Sequence, residues 1–252
     1  MLHMVGHTFL AAQSAALQLM AAISDGIVIT RDSALVCPSK PAVLNKIIAA
    51  EMFGANMLRA QLQVPSIRRY GNYEIKPIAN AHAAGGAQTP ILDLRTDPIL
   101  LEVGEECPVY ITQNNAGTQQ EFGGILLADE LKPIDTPKCE SLRATGTTTL
   151  VAAAWTQVPL TFDTALPANG FTVIGARCEG ASPILFRFVN QESVFRPGGF
   201  GNTGPLALDF PGQRRGGWGR WFHFDYTNPP TLEVLASAAD TAQTLLLDVI
   251  PD

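Results

Sequence analysis

Short apolar stretches closed by Pro, Gly, Asn or Asp recur along the chain from Ile27 to its end. In the first half they are 27–30, 46–53, 57–64, 73–78, 91–94, 99–103, 109–113 and 124–128. The second half repeats the habit at 147–153, 157–162, 172–178, 184–190, 221–226, 231–236 and 244–249. Such spacing predicts an all-β sandwich or barrel, because βαβ units need helical stretches between strands and none follows residue 25. The run before Ile27 reads differently. Phe9, Ala12, Ala16, Leu19 or Met20, and Ile23 recur at three- to four-residue intervals, which predicts one amphipathic helix ending near Ser24-Asp25-Gly26. Its apolar stripe needs a cover, which its own domain, a neighbouring subunit or a membrane surface could supply. The absence of Lys and Arg from this run weighs against the membrane and against a secretory signal.

Sliding the chain against itself exposes an internal duplication. A shift of 126 sets Pro41-Ala42 on Pro167-Ala168, Ile47-Ile48-Ala49-Ala50 on Val173-Ile174-Gly175-Ala176, and Gly54-Ala55-Asn56 on Gly180-Ala181-Ser182. Leu58 then meets Ile184 and Leu62 meets Phe188. A shift of 132 sets Asp93 on Asp225, Pro98 on Pro230 and Leu100 on Leu232; a shift of 120 sets Leu126-Leu127 on Leu246-Leu247. Offsets that come in chain order and differ by loop-sized steps are what two copies of one β domain produce. Between the copies, residues 129–145 form the densest charged and Pro-rich run, the composition of a linker. The predicted organisation is therefore an arm over 1–26, a first eight-stranded jelly roll over 27–130, a linker over 131–144 and a second jelly roll over 145–252.

Composition narrows the function classes. The 252 residues carry 17 basic and 23 acidic side chains, net −6, so binding along nucleic-acid phosphate is not expected as the main activity. Only 16% of residues are charged, against a usual ~25%, which leaves large uncharged faces suited to subunit contacts. Cys37, Cys107, Cys139 and Cys178 form no close pair, a spacing that fits neither a zinc site nor a disulfide-stapled domain.

Two tandem jelly rolls behind an amino-terminal arm resemble the double jelly-roll major capsid proteins of icosahedral, often membrane-containing, viruses of bacteria and archaea. The likeness rests on the arm 1–23, the paired blocks 41–62 and 167–188, and the closing strands 125–128 and 244–249. It implies a coat protein that assembles with itself as trimeric pseudo-hexagonal capsomers in a virion shell, beside minor capsid proteins and an internal membrane. It also implies assembly in the host cytoplasm, no cofactor and no specific nucleic-acid recognition. Family members are commonly longer, with tower-forming loops; this chain has room for small ones.

The chemically suggestive residues fit no enzyme pattern. His3, His7, His82 and His223 are scattered, with no HExxH or HxH group. Metal-dependent cupins share the jelly roll but gather histidines and a carboxylate, whereas here only His223 stands near Asp225. No G-x-S-x-G elbow is present. The Gly-rich stretch 196–204 lacks the Gly-Lys-Ser/Thr of a phosphate-binding loop, and Glu102, Glu105 and Glu106 read as a solvated turn. The run Arg214-Arg215-Gly216-Gly217-Trp218-Gly219-Arg220-Trp221 has three readings: a single-strand nucleic-acid contact, a sugar platform, or a loop anchored on a neighbour. The expected subunit contacts are Phe9, Leu19 and Ile23 from the arm, and Arg214, Arg215, Trp218 and Arg220 from the loop. On this reading, removal of residues 1–24 spares the fold and blocks assembly, and replacement of Trp218 by Ala spares the fold and weakens association. A carbohydrate-binding or adhesion module presenting Trp155, Trp218, Trp221 and Tyr226 is the alternative function.

Overall fold

Hydrogen-bonded pairing turns the apolar stretches into 23 strands among the described residues, with no α-helix. The computed structural model describes residues 1–11, 16–23, 25, 29–31, 34–36, 44–54, 56–66, 73–75, 91–114, 119–132, 134, 138–191, 193–203, 209–210 and 212–252. Cys37, the Pro41-Ala42 turn, Ala55, His82 and the expected helix end at Ser24 and Gly26 lie outside them. Two compact units divide the chain: Val5–Ala81 with Thr89–Asp129 form one, and Met1–Met4 with Glu130–Asp252 belong to the other.

The first thirteen strands are β1 (Leu2–Ala11), β2 (Gln18–Leu19), β3 (Ala21–Ala22), β4 (Ile29–Arg31), β5 (Ala34–Val36), β6 (Lys46–Phe53), β7 (Met57–Leu62), β8 (Tyr73–Ile75), β9 (Leu92–Asp93), β10 (Ile99–Leu100), β11 (Glu106–Cys107), β12 (Val109–Gln113) and β13 (Gln119–Ala128). They form a large sheet ordered β10-β6-β13-β1-β3 with β9 also on β6, a small sheet ordered β2-β12-β7-β8, and an accessory sheet ordered β11-β5-β4. The remaining ten are β14 (Glu140–Gly146), β15 (Trp155–Val158), β16 (Thr161–Phe162), β17 (Gly170–Gly180), β18 (Pro183–Val189), β19 (Gly198–Phe200), β20 (Asn202–Thr203), β21 (Phe222–Asp225), β22 (Thr231–Ala236) and β23 (Gln243–Pro251). Their large sheet is ordered β16-β14-β23-β17-β20 with β21 on β17, and their small sheet β15-β22-β18-β19.

Both sets have one topology. Take β1, β2, β6, β7, β8, β9 with β10, β12 and β13 as strands one to eight of the first copy, and β14, β15, β17, β18, β19, β21, β22 and β23 as those of the second. Each large sheet then runs first-eighth-third-sixth and each small sheet second-seventh-fourth-fifth, the strand order of a jelly roll. The irregularities repeat as well. The β6–β13 ladder skips Ile48 and the β17–β23 ladder skips Ile174, 126 positions on. The β7–β12 ladder skips Leu58 and the β18–β22 ladder skips Ile184, again 126 on. A bulge re-aims every later side chain on its strand, so two bulges at matching positions tie the copies together residue by residue.

Register corrects three expectations. The amino-terminal run is not a helical arm: it supplies β1, β2 and β3, and β1 and β2 are strands one and two of the first copy. Nearly every position there is apolar or small, so periods of 3.6 and 2 fit equally well, and pairing with β13 and β12 decides the outcome. The 132-residue shift fails, because Leu100 pairs with Lys46 as His223 pairs with Thr172, making His223 the counterpart of Leu100. The 120-residue shift becomes 122, since Ile125 faces Ala50 as Leu247 faces Ala176.

The two sheets of the second copy enclose an aromatic core. Phe188 of β18 meets Phe222 of β21 with ring centroids 5.1 Å apart, Trp221 stacks on Phe186 at 6.3 Å, and Phe171 stacks on Phe224 at 5.2 Å. Burying each ring contributes a few kcal/mol, with edge and stacking geometry adding a further fraction.

Candidate assembly surfaces

The Arg/Trp loop is built inward. Gln213 is fully buried; its Oε1 accepts the Phe200 N–H at 2.8 Å and its Nε2 donates to the Phe200 carbonyl at 3.0 Å. Arg214 grips buried Asp248 in a two-pronged pair, Nε to Oδ2 at 2.7 Å and Nη2 to Oδ1 at 2.8 Å, and the Arg215 N–H and Ser141 Oγ donate to the same carboxylate. Burial pushes the Asp248 carboxyl up, but Arg214 and these donors prevail and hold it below the usual carboxylate range. Arg215 sits at φ 52° and Gly216 at φ 79°, where a Cβ on Gly216 would meet the Ile134 carbonyl oxygen at 2.7 Å. That close approach carries the Ile134 N–H to the Gly216 carbonyl at 3.0 Å, tying the inter-copy segment to the loop.

The loop residues separate accordingly. Trp218 is 1% exposed and stacks on Trp221 at 6.0 Å, so it is a core side chain and the expectation of a surface anchor is corrected. The sequence R-R-G-G-W-G-R-W looks like an open loop, yet its glycines let the backbone fold tightly enough to turn the indole inside. Arg214 is committed to Asp248 and Asp209, while Arg215 and Arg220 are exposed. Among the amino-terminal candidates, Phe9 lies half-buried in β1, Leu19 pairs with Tyr110 from β2, and Ile23 donates its N–H to the Gly6 carbonyl at 2.8 Å. These three are parts of sheets, not of a free helix.

Met1–Met4 make a second surface. The Met4 N–H donates to the Arg196 carbonyl at 3.0 Å, and His3 Nδ1 accepts the Arg196 N–H at 3.0 Å. Beneath them Arg187, fully buried on β18, pairs through Nε with Glu233 Oε2 at 2.7 Å and reaches the Met4 carbonyl with Nη1 at 3.4 Å. Its guanidinium lies 4.0 Å from the Trp155 ring centroid, and Arg196 completes the neutralisation of Glu233 at 3.0 Å. Met1 and Leu2 border a cavity of about 250 Å³ with Asn190, Phe195, Trp221 and His223. Sequence reading missed this triad because its members are 46 and 37 positions apart and no local pattern links them.

Among the described residues the other titratable groups offer no convergent site. Cys107 and Cys178 are buried, and burial first, then Glu179 and Asp240, pushes the Cys178 thiol up. Glu105 accepts the Glu102 N–H at 2.8 Å and the Ser66 hydroxyl at 3.1 Å, holding a turn. His223 meets Asp252 at 2.8 Å near the surface. Among the described residues no three or more His, Cys, Asp or Glu side chains gather as metal ligands, and no helix is long and apolar enough to cross a membrane.

No protein-family model matches the chain, and no curated protein matches it. Among solved structures the chain is similar to the crystal structure of the major capsid protein P2 from bacteriophage PM2, with 7% identity over 100% of this chain and 98% of that one, at a TM-score of 0.26. At that score the likeness carries no weight for role, which has to come from the fold and its surfaces.

Proposed function

We propose that the chain is a structural coat subunit that assembles with itself, as trimeric pseudo-hexagonal capsomers, into an icosahedral virion shell. The supporting observation is the duplication: two jelly rolls of one topology with matching bulges in a single chain. A chain that carries the same module twice presents near-equivalent surfaces twice, which suits repeated head-to-tail contacts that close into rings. On this reading the domains are the two copies and the segment joining them, Phe9, Leu19, Ile23, Arg215 and Arg220 contribute to contacts, and the partners are further copies, minor capsid proteins and an internal membrane. The protein acts without a cofactor and without catalysis.

The adhesion alternative loses its platform. Trp218 and Trp221 are inside the core and Trp155 is half-covered beneath Arg187, leaving Tyr226 as the exposed aromatic of the four. Negative-stain imaging and sedimentation of the purified full-length chain test the proposal. Ring-shaped oligomers or closed particles are expected; a monomer at all concentrations and salt conditions overturns it.

A further inference from the structure

Two glycines of the Arg/Trp loop seat the segment that joins the copies. A Cβ on Gly216 would meet the Ile134 carbonyl oxygen at 2.7 Å, and a Cβ on Gly219 would meet the Lys132 carbonyl oxygen at 2.8 Å. Carbonyls two residues apart share one side of an extended segment, so Lys132 and Ile134 turn the same edge of their backbone onto the loop. Both glycines hold left-handed backbone, φ 79° and 77°, and a side chain at either is excluded twice, by strain and by contact. Gly216 is the centre of the stack. Its N–H donates to the Ile174 carbonyl at 2.7 Å and its own carbonyl accepts the Ile134 N–H at 3.0 Å. Ile174 is the residue that the β17–β23 ladder skips, so the bulge supplies a carbonyl, the loop spans it and the joining segment lies on the loop. The matching carbonyl of the first copy, that of Ile48, accepts the N–H of Leu94 at 2.9 Å, so a bulge of this kind does not itself call for glycine. The Lys132 side chain takes no part in the hold: it is 77% exposed and pairs with Glu130 at 3.1 Å.

We infer that Gly216 and Gly219 clamp the joining segment by its backbone, and that self-assembly requires the clamp. Arg215 precedes Gly216 and Arg220 follows Gly219, and both are exposed. With the segment seated, these two contact residues stand on a backbone that is fixed before a neighbour arrives. Without it, the loop and the segment have to be ordered at every contact, a cost repeated in each copy of an assembly. The assembly half of the inference rests on the self-assembly reading; the clamp itself does not.

The test uses the full-length chain. Ile134→Pro removes the N–H that reaches Gly216 and leaves the loop intact, whereas Ile134→Ala trims the side chain and keeps that N–H. Brief digestion with a nonspecific protease, read by mass spectrometry, should cut Ile134→Pro between 130 and 138 at least about tenfold faster than the wild type, with Ile134→Ala within about twofold of it. Gly219→Ala should also speed cleavage, but it strains the turn that holds Trp218, so Ile134→Pro is the deciding variant. In sedimentation Ile134→Pro should associate about tenfold more weakly or worse while its thermal melt stays that of the wild type. Equal cleavage of the wild type and Ile134→Pro overturns the clamp. Faster cleavage with association intact overturns its role in assembly. A wild type that stays monomeric overturns the self-assembly reading together with that role, and the digestion still decides the clamp.

Discussion

At the scale of single residues, burial decides more than side-chain type. Trp218 is enclosed between Phe200 and Trp221, so Trp218→Ala should cost about 3–5 kcal/mol of stability, the range for emptying a large aromatic site. Calorimetry should then show a markedly lowered Tm, and an unchanged melt would return the residue to the surface. Two buried ionisable groups in the first copy give opposite pH dependences. Burial lowers His7 from 6.5 to about 4, so the unfolded chain binds the extra proton and stability falls as pH drops from 6.5 towards 4. His7→Leu should flatten that acid limb, worth about 3 kcal/mol in full by linkage. Burial raises the Glu51 carboxyl well above 4.5, so the folded state holds the proton and stability falls as pH rises above 4.5. Glu51→Gln should therefore raise the Tm at pH 7 and leave it nearly unchanged near pH 4. A Tm gain that is equal at both values would assign the effect to packing.

At the scale of elements, strands one and two of the first copy are the amino-terminal run itself. Deleting residues 2–23 strips β1 from β13 and β2 from β12, exposing two unpaired edges. The expected outcome is loss of the cooperative fold of the first copy, seen as diminished β signal in circular dichroism and rapid proteolysis within 44–129. Retention of a full-strength melt would restore the detachable arm. Most strands from Lys46 onward were legible because Gly, Pro and Asn punctuate them and because the 126-residue offset holds through both bulges. Others were not: β14 (Glu140–Gly146) lies largely in the stretch read as a linker, 147–153 read as a strand makes only the bridge from Ala152 to Ala236, and β19 and β20 lie in the Gly-rich stretch 196–204. The first strand was not legible either, since Leu2, Met4 and Val5 are apolar beside Gly and Ala and carry no period that separates helix from strand. The Arg187–Glu233 pair and the inward Trp218 were also hidden, because both depend on partners brought by pairing far along the chain.

At the scale of the whole molecule, each copy places its first strand beside its last: β1 on β13 and β14 on β23. That adjacency has a kinetic meaning. Neither sandwich can close until its final strand exists, so both folds are dominated by distant pairings and should form on the slow, millisecond-to-second side of single-domain folding. On a ribosome the opening strand waits through more than a hundred residues for its neighbour, and Met1–Met4 wait longer still for Arg187, Arg196 and Glu233. In pulse-labelling hydrogen exchange during refolding, the Met4 amide should be protected after the amides of β6 and β13. Residues 1–4 would then settle after the sheet they belong to, which makes their docking a marker of a finished subunit.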